Sequence, residues 1–366
     1  MSELQIATHL DLIRVLAPAG AAFLIGMLIT PLVTHYLYAF KAWKKRAGKA
    51  SLDGTAASEF NRLHEHHEVR APRMGGIIIW ASVIITVLGL TLIAYLAPLS
   101  SIAQLDFLSR SQTWIPLTTL LIGSLVGLID DLLMVGERAE GLQLRYRLII
   151  VTLMSLFIGW WFYDKLDIVA LNIPFMEPLY LGAFIIPLFI LVSLALYASG
   201  VIDGIDGLSG GVFASIFASY AIIAFVQAQI DVAAFCASIV GALLAFLWYN
   251  IPPARFYMSD TGTMGLTLAL AVVAFMTDNL GGGVGVFVLP IIGALLVVTV
   301  ASVVLQMFWK RFLHRKLFRV APLHHHFESI GWPGYKVTMR YWVLSVVCAF
   351  AGVVIALASV ATPILL

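Results

Sequence analysis

The sequence predicts an all-α integral membrane protein of about ten transmembrane helices, with both termini outside and its active site at the cytoplasmic face. Three observations lead there. Of 366 residues, 61% are apolar or aromatic and only 11% are charged, against roughly 25% charged in an ordinary globular chain. The mean hydropathy of +0.97 is too high for a water-facing surface built from 22 basic and 20 acidic residues. The apolar residues also fall in runs close to the roughly 20 needed to cross a hydrocarbon core. Cys236 and Cys348 both lie in such runs, which excludes a secreted disulfide scaffold and a cysteine-built metal site.

Read between polar breaks, the spans are 12–38, 74–98, 114–135, 146–164, 179–198, 210–228, 232–250, 263–278, 284–309 and 341–364. The shortest, 263–278, is read as tilted, partly interfacial or bounded too tightly, and the glycines from Gly281 to Gly285 mark the break after it. With the amino terminus outside, the loops at 39–73, 136–147, 199–209, 251–262 and 310–340 share the cytoplasmic side and hold 19 of the 22 basic residues. The positive-inside rule therefore sets the orientation. The basic cluster follows the first span, so a cleaved signal peptide is not expected. Short loops and the lack of repeats predict one polytopic domain over residues 1–366.

The acidic residues make a second statement. Asp130 and Asp131 end one inward-running span, Asp203 and Asp206 follow another, Asp260 follows a third and His324, His325 and His326 follow a fourth. All are predicted at one mouth of the bundle. A charge at mid-bilayer costs about 2.5–3.5 kcal/mol on insertion scales, so a pair inside an apolar helix needs a purpose beyond an interfacial position. Helical neighbours diverge by about 100°, so Asp130 and Asp131 should serve different partners. In Asp203-Gly204-Ile205-Asp206-Gly207 two carboxylates share a face if the backbone is helical, and the glycines admit a ligand close to the backbone. Carboxylates beside accessible amides suit Mg²⁺ and phosphate together, although a calcium-type loop or a plain turn has the same spacing.

Ser259, Asp260 and Thr261 are good helix caps, and a cap is also an anion site. The histidine run is a poor zinc site, since consecutive side chains diverge and no cysteine is near; imidazoles can instead donate hydrogen bonds to phosphate or a leaving group. The loop before Met74 is net positive, which suits anionic headgroups, and Arg70 and Arg73 stand nearest its glycines as candidate phosphate contacts. These groups fit phosphoryl transfer between a soluble phosphate compound and a lipid. No Gly-x-x-x-x-Gly-Lys-Ser signature occurs, which disfavours an ATP-driven pump.

Ile129-Asp130-Asp131, Asp203-Gly-Ile-Asp206-Gly-Leu, Met258-Ser-Asp260-Thr-Gly and Pro322-Leu-His-His-His-Phe-Glu-Ser-Ile-Gly-Trp resemble, in order and spacing, the polyprenyl-phosphate N-acetylhexosamine-1-phosphate transferases. The resemblance covers nearly the whole chain. Its carboxyl-terminal motif is similar to the branch that serves bacterial cell-wall synthesis. It implies a multi-pass protein of the bacterial inner membrane that converts UDP-N-acetylmuramoyl-pentapeptide and undecaprenyl phosphate to lipid I and UMP with Mg²⁺. Asp130, Asp131 and Asp260 would be catalytic, and Asp260, Asp131 and Asp203 would hold the metal. Asp203, Asp206, Gly204, Asn250, Tyr257, His324, His325, His326, Arg70, Arg73 and Arg147 would bind substrate, Tyr257 by stacking on uracil. The expected partners are these two substrates and the bilayer, with no nucleic acid; a second copy of the chain in a homodimer is left open.

The chain also departs from the family pattern. The family's Lys-x-Gly-Thr-Pro-Thr-Met-Gly-Gly is replaced by Glu68 through Gly76, with Arg73 at the second threonine; its Asn-x-x-Asn by Tyr197 and Gly200; and the lysine after the Asp-Asp pair by Met134. Arg70, His66 or His67 would then rebuild the nucleotide contacts. Pro72-Arg73-Met74-Gly75-Gly76 is similar to relatives that transfer N-acetylglucosamine-1-phosphate, so a sister transferase is the first alternative. An ion-coupled transporter is the second.

Overall fold

A computed structural model describes residues 3–43, 71–109, 112–136 and 141–361. Arg70, His66, His67 and Glu68 lie outside the described residues. Ten helices among those described are long and apolar enough to cross a membrane. The helices are α1 (Glu3–Ala39), α2 (Gly76–Leu96), α3 (Trp114–Val135), α4 (Leu144–Lys165), α5 (Ile185–Ser199), α6 (Leu208–Val226), α7 (Ile230–Asn250), α8 (Ser259–Phe275), α9 (Gly285–Ile292), α10 (Ala294–Leu313), α11 (Leu323–Ser329) and α12 (Gly334–Ala361). A two-stranded antiparallel hairpin, β1 (Ala170–Leu171) and β2 (Leu179–Tyr180), joins α4 to α5, with Ala170 opposite Tyr180.

The predicted spans recur with three corrections. The shortest one lengthens to Ser259–Asp278 and is the most buried of all. Residues 179–180 form β2, so the fifth span starts at Gly182. The run at 284–309, read as one span, is two helices that break at Gly293 (φ −92°, ψ 24°), with Pro290 inside the first. Apolar content hides this break, because a glycine next to a proline-containing turn is a conformational signal and not a hydropathy signal.

Small residues place α8 at the centre. Without a hydrophobic drive between helices in lipid, close backbone approach stabilises their packing. α3 brings Gly123 and Gly127 against α8: a Cβ added at Gly123 would lie 3.0 Å from Gly265 Cα, and one at Gly127 would strike the carbonyl of Asp260. α2 meets the same helix through Gly76, where a Cβ would lie 2.5 Å from Gly262 Cα. α1 and α6 flank α7, α12 covers α6, and α4 packs on α5. Large apolar side chains such as Leu28, Phe157, Val343 and Phe350 face outward, as lipid contact requires.

At the far end of α8, buried Asp278 accepts from Asn172 N (2.9 Å) and Val286 N (3.0 Å). It thereby ties the hairpin to the start of α9. This carboxylate was not among the predicted site residues, and its backbone donors give it an anchoring role at the end opposite the acidic cluster.

Candidate active site

The amino end of α8, the carboxyl end of α3 and the loops before α2, α6 and α8 meet at one end of the bundle. Asp130 and Asp131 diverge there as helical geometry requires. Asp131, fully buried, accepts from Arg73 Nε (2.9 Å), Arg73 Nη2 (2.8 Å), Thr261 N (2.9 Å) and Thr261 Oγ1 (2.6 Å). Asp130 instead accepts from Leu142 N and Arg147 Nη1 (3.3 Å). The same Arg147 nitrogen donates to Asp260 Oδ2 at 3.1 Å, so one guanidinium bridges two carboxylates 130 residues apart in sequence. Arg147 supplies a cation beside Asp130 that Met134 cannot.

Burial works against the charge on Arg73, but Asp131, with Asp260 and Asp203 beyond it, raises its pKa above the ordinary arginine value. Arg73 is therefore a fixed positive charge held by protein carboxylates.

The Asp203–Gly207 segment is not helical. A 3₁₀ turn over Gly200–Ile202 leads into turns that end with Gly207 at φ 74°. Asp203 and Asp206 consequently face different partners, contrary to the shared face that a helix would give. Asp203 accepts from Ser209 Oγ (2.7 Å) and Ser259 N (2.7 Å), while Asp206 accepts from Ala254 N (3.0 Å). Burial raises the pKa of Asp203 despite these donors and Arg73. Ser259 adopts φ 57° to aim its N–H at Asp203, a conformation that costs a non-glycine residue about 1–2 kcal/mol. The residue at the N-cap of α8 is Met258, which makes no side-chain cap, and Ser259 Oγ has no hydrogen-bond partner among the described residues.

Asn250 holds the neighbouring backbone together, accepting from Gly207 N (3.0 Å) and donating to Phe256 O (2.7 Å). Tyr257 pairs its backbone with Pro72 O and Gly75 N, which lays the segment before α8 beside that before α2. His324 and His325 are buried on α11, their rings 4.3 Å apart, and their Nε2 atoms crowd Gly204: a Cβ there would lie 2.7 and 2.6 Å away. His326 turns aside, accepting from Arg319 N (3.3 Å) beside Phe318, where burial and then Arg319 lower its pKa.

The structure thus brings together Asp130, Asp131, Asp203, Asp260, Arg73 and Arg147, with Gly204, His324 and His325 alongside. It does not bring His326 to them. Thr261 and Ser209 donate to the carboxylates without having been predicted to. Their signal was modest: each is a hydroxyl residue within the first turn of a helix that begins at the acidic motifs.

An apolar cavity of about 580 Å³ lies between the amino-terminal half of α3 and the carboxyl-terminal half of α4, lined by Trp114, Ile115, Ile122, Met154, Phe157 and Trp161 among others. Met154 also belongs to an apolar cluster with Val151, Leu194, Tyr197, Met264 and Leu268.

No three His, Cys, Asp or Glu side chains among the described residues converge as a ready-made metal cage. Mg²⁺ does not require one, since it binds through one or two carboxylates plus phosphates and water. Asp260 suits that mode: its side chain is 27% exposed where Asp130 and Asp131 are buried, and its Oδ2 is the oxygen that meets Arg147. Asp131 suits it least, because it is fully buried and its two oxygens carry four protein donors, two from Arg73 and two from Thr261.

Residues 113–278 match the model of glycosyl transferase family 4. The chain is 32% identical over 339 residues to phospho-N-acetylmuramoyl-pentapeptide-transferase of Geobacillus sp. (strain WCH70), covering 91% of this chain and 95% of the relative. The chain belongs to the phospho-N-acetylmuramoyl-pentapeptide-transferase family. Members from Latilactobacillus sakei subsp. sakei (strain 23K) and Granulibacter bethesdensis (strain ATCC BAA-1260 / CGDNIH1) are 31% and 35% identical, over 91% and 77% of this chain and 96% and 78% of their own. Membership in this transferase family accords with the multi-pass helical fold, and the family-4 match spans α3 to α8, including Asp130, Asp131, Asp203 and Asp260.

Proposed function

We propose that the chain transfers phospho-N-acetylmuramoyl-pentapeptide from its UDP ester to undecaprenyl phosphate at the cytoplasmic face of a bacterial inner membrane, yielding lipid I and UMP. The observation that carries this reading is the convergence of Asp130, Asp131, Asp203 and Asp260 with Arg73 and Arg147 at one end of a membrane bundle. Phosphoryl transfer asks for positioned charge more than for covalent chemistry.

In this reading Arg147 recruits the lipid phosphate, and Asp130, which Arg147 already orients, holds or takes its proton. Asp260 would hold Mg²⁺, whose charge would offset that of the donor's phosphates. The Asp203–Gly207 turns bring backbone close to the nucleotide, with His324 and His325 opposite Gly204. Asp131 and Thr261 keep α3, α8 and Arg73 in register. The cavity between α3 and α4 suits the isoprenoid tail, because it is apolar and lies between two membrane-spanning helices.

Membranes containing the chain, supplied with undecaprenyl phosphate, Mg²⁺ and either radiolabelled donor, test the reading. Lipid product from UDP-N-acetylmuramoyl-pentapeptide is expected. A second reading, transfer of N-acetylglucosamine-1-phosphate, is favoured by Arg73 standing where this family has threonine; product from UDP-N-acetylglucosamine alone would establish it.

A further inference from the structure

Glu328 has no part in the chemistry so far, yet it is nine-tenths buried beside a site histidine. Its Oε2 lies 2.8 Å from Nδ1 of His325, with side-chain exposures of 11% and 3%. The two are three apart on α11, one face of a helical turn. An ionised carboxylate can only accept, so this contact puts a proton on Nδ1. The opposite ring nitrogen, Nε2, is the atom that reaches Gly204 in the loop between Asp203 and Asp206.

We propose that Glu328 is a positioning residue for His325: by holding Nδ1–H it fixes the ring and delivers Nε2 as the atom that meets substrate. In the neutral ring Nε2 then carries the lone pair; in the charged ring it carries a second N–H. Either way the proton exchanged with substrate is on Nε2. A partner that fixes tautomer and orientation is the general device behind carboxylate–imidazole pairs.

Several features keep this pair rigid. Leu323 N donates to Ser302 Oγ (3.0 Å), which fixes the start of α11 on α10. Phe327 stacks on Trp332 with ring centroids 4.8 Å apart, and Arg340 covers Trp332 at 4.1 Å, which fastens α11 to α12. Gly334 at the start of α12 leaves room for Glu328, whose Oε1 would lie 3.2 Å from a Cβ there. Gly204 leaves room for Nε2 on the other side. The spacing His325-His326-Phe327-Glu328 thus has a physical reason that the sequence alone did not disclose.

The proposal rests on the functional reading above for its rate consequences, but its tautomer claim stands without that reading. In the full-length protein in nanodiscs with ¹⁵N-labelled histidine, the neutral His325 ring should show its proton on Nδ1. In Glu328→Gln, whose neutral amide can donate to or accept from Nδ1, the preference for Nδ1–H should weaken while the melting temperature stays unchanged.

On whichever donor the protein uses, Glu328→Gln should lower kcat about 10–100-fold with donor KM within about twofold. Glu328→Asp should recover part of that loss. Combined with His325→Ala, it should add no further loss, as expected for groups that act as a unit. A wild-type ring protonated on Nε2, or wild-type turnover in a folded Glu328→Gln protein, would overturn the proposal. If neither donor gives product, the functional reading fails, and the wild-type tautomer still decides this one.

Discussion

Arg73→Met probes the part of the site that is most completely enclosed. Asp131 has four donors, two of them on Arg73, and no exposed surface. Removing one partner of a buried ion pair leaves a charge without compensation and costs about 3–5 kcal/mol. Removing both charges avoids most of that cost, so Arg73→Met/Asp131→Asn should be markedly more stable than Arg73→Met alone, since the introduced amide carbonyl can still accept from Thr261 N. Unfolding by sodium dodecyl sulfate titration in mixed micelles measures both. A loss for Arg73→Met under about 1 kcal/mol, the range of exposed pairs, or no recovery in the double variant, would refute the claim that Asp131 is committed to protein partners. It would leave Asp131 open to act as a metal ligand.

Gly127→Ala would drive a methyl into the carbonyl of Asp260; overpacking of this kind costs about 1–3 kcal/mol, and a shifted Asp260 should lower turnover by more than the same change at Gly89, whose added Cβ meets nothing. His326→Ala should impair lipid product formation far less than His325→Ala, because only His324 and His325 reach Gly204; equal losses in kcat/KM would contradict that placement. Ile122→Trp, which fills the cavity between α3 and α4, should raise KM for the lipid acceptor and leave donor KM unchanged. Burial raises the pKa of Asp203 on folding. The folded chain therefore binds that proton more tightly, and its contribution to stability is lost as pH rises through the folded value; Asp203→Asn should flatten that part of the stability–pH curve.

Hydropathy made nearly every span legible, because lipid exposure imposes apolar runs on α1, α4, α10 and α12 whatever their detailed packing. It failed where conformation departs from composition, at the Gly293 break and in the two residues of β2. The co-location of the acidic motifs was legible from span direction alone. Their individual tasks were not, since those depend on which donor arrives from another helix: Arg73 reaches Asp131 across 58 residues, and Arg147 reaches Asp260 across 113. The choice between a helix and a turn at Asp203–Gly207, open in the sequence, falls to the turns that end at Gly207. Asn250, expected at substrate, is occupied by backbone groups on either side of it. The role of Glu328 needed the helix over Leu323–Ser329, which seven residues of motif do not announce.

The central claim is that the carboxylates gathered at the start of α8 carry out a transfer that liberates UMP. It is tested most directly by measuring UMP and lipid-linked product together for purified wild type and Asp260→Asn, with matched melting curves. Wild type should yield equal amounts of the two products and the variant neither; undiminished turnover by Asp260→Asn, or lipid product without UMP, would contradict this role of the cluster.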